Sequence, residues 1–199
     1  MIRARKLLMS AVVVGALGIV TGVATWAAFS GTTANSANSF EVGTVTMTDN
    51  DGGSGAVLSM SNALPGATAT GCIKVTYTGA LASSVKMFGG VSGALGDYLT
   101  LKVTRGTDSG STFPGCGSFT NDTRDYIGQG AGVIYNGTLS SFPASYAAGL
   151  TDPDNGTGGT ETWTTSEAHA YKLEVTLQNN TAAEGQSASA SFTWEARNQ

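Results

Sequence analysis

The sequence predicts an all-β protein: a jelly-roll-like β-sandwich preceded by a cleaved N-terminal signal helix. Three observations support this fold class. From residue 40 onward, short runs of alternating apolar and polar residues recur, which is the period of a half-buried β-strand. Turn residues separate these runs, and glycine accounts for 28 of the 199 residues. No sustained 3.6-residue periodicity is present, so about seven to nine short strands are expected rather than a helical bundle.

Residues 1–27 are typical of a secretory signal peptide. Three basic residues lie near the start, residues 7–24 are almost entirely apolar, and small residues follow at Ala27 and Ala28. This order predicts that a signal peptidase cleaves the chain between Ala27 and Ala28. The alternative is a retained membrane anchor, because about 18 apolar residues are close to the minimum length that spans a bilayer.

The charge of the chain narrows its range of partners. Ten basic and 14 acidic residues give a formal net charge of −4. Cleavage would remove three of the ten basic residues and none of the acidic ones, which leaves a net charge of about −7. Such an acidic surface argues against binding to nucleic acid and to an anionic membrane. We therefore expect a secreted protein, in the extracellular matrix or on the cell surface, with no nucleic-acid partner and no membrane association after cleavage.

The mature chain divides into an arm and a domain. Residues 28–39 are mostly small and polar, which predicts a flexible N-terminal arm. Residues 40–199 are predicted to form the β-sandwich. Its expected strands, in order, are residues 40–47, 56–60, 72–77, 84–88, 98–105, 171–177 and 189–195. The fifth is the clearest, because Leu99, Leu101 and Val103 face one side of it.

Two polar loops and one short helix complete the expected domain. Residues 142–150 favour a helix that Pro143 and Gly149 would keep short. Residues 107–130 and 151–160 read as loops, and the second is rich in glycine and acidic residues. We expect this second loop to be the most mobile part of the domain.

Cys72 and Cys116 are the two cysteines of the chain. In an exported protein two cysteines most simply form one disulfide, which here would join a loop to a strand. A bond that closes a loop of roughly 45 residues contributes about 4 kcal/mol by limiting the entropy of the unfolded chain. A redox or metal-binding pair is the alternative, but neither cysteine belongs to a C-x-x-C motif.

The sequence contains no complete catalytic or metal-binding motif. Asp49 with Asp51, and Asp152 with Asp154, resemble parts of a calcium loop, but they lack the spacing of an EF-hand. Acidic, glycine-rich turns are usually only turns, so no cofactor is expected, although oxygen-rich loops are chemically able to bind calcium. His169 is the single histidine, which excludes a multi-histidine zinc site and favours a structural role. We expect no catalytic residues and no enzymatic activity.

Four segments together resemble the TasA/camelysin family. They are TWAAF at residues 25–29, FEVGTV at 40–45, LPG at 64–66 and the closing run ASASFTWEARNQ at 188–199. The first, which ends a long apolar signal, is fairly specific, whereas the other three are weak singly. The resemblance covers both ends and the first third of the chain. The cysteine-bearing middle does not align, and a chain with these cysteines looks like an actinobacterial branch.

The resemblance implies a signal peptide cleaved by a SipW-type peptidase, a jelly-roll fold and self-association into extracellular biofilm-matrix fibres. In such fibres the freed N-terminal segment of one subunit fills a strand position in the next. In this sequence the assembly arm would begin with Ala28, Phe29, Ser30, Gly31, Thr32 and Thr33. The alternatives are an arm without order and an arm that folds back on its own domain.

Two other functions remain as hypotheses. Camelysin members of the family are classed as cell-surface metallopeptidases, so a metalloendopeptidase is the first alternative. The single histidine departs from a zinc-peptidase site, and no catalytic residue is carried over to this chain. The second alternative is a monomeric secreted binding module. Of the three, the resemblance favours a structural fibre subunit.

Overall fold

The structure is a computed structural model that describes residues 30–34, 45, 47–53 and 55–198, with the backbone alone described for residues 30–34. The predicted signal peptide and its cleavage position at Ala27 and Ala28 lie outside these residues. No helix within the described ranges is long and apolar enough to cross a membrane.

The described residues fold into β-strands joined by turns and short 3₁₀ helices. In chain order, the strands are β1 (Ser30–Ala34), β2 (Met47–Asp49), β3 (Thr68–Tyr77), β4 (Ser83–Phe88), β5 (Val91–Ser92), β6 (Leu99–Asp108), β7 (Phe119–Asn121), β8 (Val133–Thr138), β9 (Leu150–Thr151), β10 (Ala168–Leu177), β11 (Ser189–Ala190) and β12 (Thr193–Asn198). The 3₁₀ helices are Ala94–Tyr98, Leu139–Ser141 and Thr181–Ala183. The all-β prediction is therefore confirmed.

Two antiparallel sheets contain most of these strands. A four-stranded sheet has the order β1-β12-β4-β9, and a six-stranded sheet has the order β2-β3-β10-β6-β7, with β8 also paired to β6. β11 and β5 form a separate two-stranded ribbon. At the centre of the larger sheet, β10 pairs with β3 on one side and with β6 on the other. Its partners come from distant parts of the chain, so contacts between remote segments hold this sheet together.

The hydrophobic core lies between the two sheets. Leu101, Val103 and Leu173 of the larger sheet and Val85 and Trp194 of the smaller one belong to one buried cluster. Buried and half-buried residues alternate along β4 and along much of β6 and β10. Because alternate side chains of a strand point to opposite faces, this pattern buries one face of each sheet against the other.

Three local predictions are wrong. The predicted loop over residues 107–130 contains β7, which pairs with the end of β6. The other two errors concern apolar segments. Residues 56–60 do not form a strand, because no described strand pairs with them. Residues 142–150 do not form a helix. Phe142 is instead buried, with its ring edge-on to the rings of Tyr135 and Phe192. Val57 and Phe142 are therefore buried although neither belongs to a helix or a strand.

The predicted disulfide is confirmed. Cys72 and Cys116 are joined, with their Cα atoms 5.2 Å apart. Cys72 lies in β3 and is 2% exposed, whereas Cys116 lies in the loop between β6 and β7. The N–H of Cys72 also donates to the carbonyl oxygen of Pro114 at 2.9 Å. A covalent bond and a backbone hydrogen bond therefore attach this loop to β3.

Replacing both cysteines (Cys72→Ala with Cys116→Ala) should lower the free energy of unfolding by about 2–4 kcal/mol, because the unfolded chain gains conformational freedom. Urea-induced unfolding, followed by tryptophan fluorescence, measures this change. Reduction of the unaltered protein is the matched control and should produce a similar loss. Unchanged free energies in both experiments would contradict a stabilising role for the bond.

Candidate functional site

The predicted assembly arm lies partly within the described residues. Residues 30–33 of the arm belong to β1, whereas Ala28 and Phe29 lie outside the described residues. β1 pairs antiparallel with β12 of the same chain, in a register that places Ala34 opposite Thr193. This part of the arm therefore folds back and forms an edge of the four-stranded sheet.

β1 covers a strand edge that would otherwise be open. On its other side β12 pairs with β4, so β1 is the second neighbour that completes its hydrogen bonding. Trp194 and Ala196 of β12 are almost fully buried in the core, so β12 is attached to the domain by its side chains as well as by its pairing with β4. An uncovered edge of this kind is a template for pairing with a strand of another molecule.

A second feature is an ionic cluster around Arg105 of β6, which is 1% exposed. The Nε of Arg105 donates to Oδ1 of Asp152 at 2.8 Å, and Nη1 donates to Oδ2 of Asp122. Nη2 lies 3.3 Å from Oε2 of Glu161. The guanidinium group therefore joins a central strand to the segments that follow β7 and β9.

Asp152 is the main acceptor in this cluster. Besides its contact with Arg105, its carboxylate accepts hydrogen bonds from the Tyr171 hydroxyl at 2.7 Å and from Nε1 of Trp163 at 2.8 Å. All four side chains are nearly fully buried. The sequence analysis placed Asp152 in a candidate calcium loop, but in the structure both of its carboxylate oxygens accept hydrogen bonds from the domain itself.

The other aspartates of the calcium hypothesis close turns. Oδ1 of Asp51 accepts from the N–H of Gly53 at 2.6 Å, and Oδ1 of Asp49 accepts from the N–H of Asp51 at 3.2 Å. Oδ1 of Asp154 accepts from the N–H of Thr157. Aspartate commonly stabilises tight turns through such local bonds. These contacts give the three carboxylates a conformational role that needs no metal ion.

His169, at the start of β10, belongs to the same cluster. Its Nε2 lies 3.1 Å from Oε1 of Glu167, and Nη2 of Arg105 lies 3.0 Å from Nε2 and 3.1 Å from Nδ1. The imidazole packs edge-on against the indole of Trp163, with ring centroids 4.6 Å apart. These contacts agree with the structural role expected for this histidine.

Glu161, Glu167 and His169 together place three metal-ligating atoms within 4.8 Å of one another. The sequence analysis did not identify the two glutamates, because neither belongs to a metal-binding motif and folding brings Glu161 to His169. A divalent cation here would have to displace the guanidinium of Arg105, which contacts Glu161 and the imidazole. The arrangement is therefore an ionic network centred on an arginine.

Burial and charge both shift pKa values in this cluster. Burial alone would lower the pKa of Arg105, but its interactions with Asp152, Tyr171 and Asp122 together outweigh burial and raise the pKa. Burial, reinforced by the charge of Asp152, raises the pKa of the Tyr171 hydroxyl well above its ordinary value of 10.0. Burial and the neighbouring Glu167 raise the pKa of Glu161. At neutral pH Arg105 is therefore a cation and Tyr171 a hydrogen-bond donor.

Compared with known proteins, the chain matches no family model and no curated protein. The resemblance to the TasA/camelysin family therefore rests on the four sequence segments alone and stays a hypothesis.

Arg105→Met should lower the free energy of unfolding at neutral pH by about 3–5 kcal/mol, because the buried carboxylates of Asp122 and Asp152 lose their cation. Urea unfolding measures the loss. Arg124→Met is the matched control, because Arg124 donates to the carbonyl oxygens of Asn155 and Gly156 at the surface and its loss leaves no buried carboxylate without a partner. That control should cost about 1 kcal/mol or less. Equal losses in the two variants would contradict a special role for the buried cluster.

Glu161→Gln should stabilise the protein relative to the unaltered chain as the pH rises. Because the pKa of Glu161 is raised by folding, the folded state binds this proton more tightly than the unfolded state does. The stability contributed by the protonated group is therefore lost as the pH rises through the raised pKa, and glutamine removes this loss. Thermal unfolding between about pH 4 and pH 7 measures the difference. Glu184→Gln, at an exposed position, is the control. A difference that does not vary with pH would contradict the shift.

Proposed function

We propose that this protein is an exported structural subunit that assembles into extracellular fibres of a biofilm matrix or cell surface. Assembly would proceed by exchange of the N-terminal strand, in which β1 of one subunit leaves its own domain and pairs with β12 of the next. The observation that carries the proposal is the in-register pairing of an N-terminal strand with an edge of its own sheet. A donated strand would fill this same position.

Exchange is energetically feasible because the same contacts form within one chain and between two chains. β1 has five residues, and the β1 of a second copy can form the same pairs with β12. The balance between the two arrangements then depends on chain entropy and protein concentration. Head-to-tail exchange is a heterologous contact, so it extends into a filament unless it closes into a ring.

The sequence of the arm suits an exchangeable strand. Residues 28–39 contain no charged side chain. Thr32 and Thr33 are β-branched and favour an extended backbone, whereas Gly31 raises the entropic cost of ordering and weakens the pairing. Cleavage after Ala27 by a SipW-type signal peptidase would give the arm a free end with which to reach a neighbour.

Locking the arm to its own domain tests this mechanism. In the double variant Ala34→Cys with Thr193→Cys, the new cysteines lie opposite each other in the β1–β12 pairing, so a disulfide can hold β1 in place. We expect the oxidised variant to stay monomeric where the unaltered protein forms filaments in negative-stain electron microscopy. Deletion of residues 28–38 should abolish filaments as well.

The same variant shows which chains are joined in an assembled fibre. When oxidation follows assembly, strand exchange predicts disulfides between subunits and a ladder of multimers on a denaturing gel without reductant. The single variant Ala34→Cys is the control and should give no such ladder. Filaments with intrachain bonds only, or filaments from arm-deleted protein, would disprove strand exchange. Failure of the unaltered mature protein to form filaments at any concentration would disprove the fibre function.

A cell-surface metallopeptidase is the second candidate, and one observation favours it. Glu161, Glu167 and His169 offer three ligand atoms close together on side chains that are 18%, 23% and 13% exposed. The positive charge of the Arg105 guanidinium, which contacts Glu161 and His169, disfavours binding of a metal cation there. Stoichiometric zinc that His169→Ala abolishes, together with chelator-sensitive peptide cleavage, would support this candidate. Zinc content unaffected by His169→Ala would reject it.

A further inference from the structure

An open groove lies at the end of the sandwich where β6 begins and β10 ends. Its volume is about 980 Å³, and its lining comes largely from the segments that precede β3 and follow β10. Leu99, Leu177 and Phe192 reach it from the core, with exposures of 7%, 9% and 4%. Further apolar lining residues are only partly buried: Leu58, Met60, Ala63, Leu95, Ala183 and Ala188. The groove therefore offers apolar surface that an occupant would bury.

One stretch of the lining has backbone groups without partners. Within the part of the chain that the structure describes, no hydrogen bond involves residues 56–63. Backbone bonding towards β10 begins at Gly66, whose N–H donates to the carbonyl oxygen of Leu177 at 2.8 Å. Residues 58–61 lie between two bends, with their side chains alternately half-buried and exposed. This alternation is typical of a strand at a sheet surface, yet no described strand pairs with it.

The apolar lining and the unpaired backbone groups together indicate what kind of molecule would bind in the groove. A hydrocarbon chain would cover the apolar side chains but leave the N–H and C=O groups of residues 58–61 unpaired. Each such group that is buried without a partner costs about 1–3 kcal/mol of binding free energy. An extended polypeptide satisfies both, because its backbone pairs with an open edge while alternate side chains enter the groove. Among the described lining residues Glu184 alone carries a charged side chain, so a neutral segment fits.

We infer that this groove binds a neutral, extended segment of a second, different polypeptide, which adds as a β-strand along residues 58–61. Alternate apolar side chains of this partner lie beside Leu58 and Met60. The partner is a different polypeptide because residues 30–34 of this chain pair with β12, and strand exchange between two copies would keep that same pairing. The inference does not depend on fibre formation.

A synthetic peptide tests strand addition on the purified protein. The probe is a fluorescent eight-residue peptide of alternating valine and threonine, blocked at both ends, and binding is followed by fluorescence anisotropy. We expect saturable binding that weakens at least about tenfold when alternate residues of the peptide are N-methylated. Methylation removes backbone donors and keeps the side chains, so equal affinities for the two peptides would overturn strand addition.

Substitutions locate the bound peptide. Ala183→Trp should fill the groove and abolish binding, whereas Ala147→Trp, at an exposed position outside the lining, should leave it unchanged. Circular dichroism checks that both variants fold. If Ala183→Trp does not fold, Ser59→Pro becomes the test variant and Ser59→Ala its control. Proline removes one N–H from the unpaired stretch, whereas alanine keeps it. Binding that survives filling of the groove, or that falls equally in variant and control, would overturn the inference.

Two competing ligands test the two other possible occupants of the groove, a hydrocarbon chain and a second copy of this chain. Laurate that displaces the probe and binds more tightly would identify a hydrocarbon site, and the inference would be wrong. A peptide with the sequence of residues 28–39 that binds more tightly than the probe would identify a second copy of this chain, and the assignment to a different polypeptide would be wrong. Neither measurement uses filaments, so a negative result here leaves the fibre proposal standing.

Discussion

Arg105 places a positive charge inside the larger sheet, and the polar structure around it follows from the need to neutralise that charge. A buried ion is tolerated only when nearby groups satisfy its charge and its hydrogen bonds. Asp122 and Asp152 supply the compensating negative charge, and Asp152 also accepts hydrogen bonds from Tyr171 and Trp163. The loops that carry these carboxylates are therefore attached to the core by an ionic network as well as by apolar packing.

The two candidate interaction surfaces have a common physical origin, because an open sandwich cannot pair every backbone group with its own strands. One edge, that of β12, is covered by the short strand β1 from the start of the chain. The second surface, residues 56–63, is not a strand of either sheet, has no described hydrogen-bond partner and borders an apolar groove. At the first surface, the β1 strand of one chain can be replaced by the β1 strand of another. At the second surface, a strand from another polypeptide can be added. A subunit could therefore use both without competition between them.

Local patterns predicted the parts of the structure that depend on local chemistry. Leu101 and Val103 could be assigned to one buried face because alternation along a strand is visible in sequence. The disulfide between Cys72 and Cys116 could be predicted because two cysteines can pair within one chain in a single way. The same pattern also predicted a strand at residues 56–60, where alternation is present but a hydrogen-bonding neighbour is not.

The ionic cluster could not be predicted in this way. Asp122, Asp152 and Glu161 lie 17, 47 and 56 positions after Arg105. The first two belong to predicted polar loops, and Glu161 follows the second loop, so nothing in the sequence connects them to Arg105. Residue types and their spacing establish an all-β chain with one covalent link, because alternation and cysteine number are properties of the chain itself. Folding alone decides which carboxylates neutralise the buried arginine, where the N-terminal strand pairs and which stretch stays unpaired, because each depends on which distant segments meet.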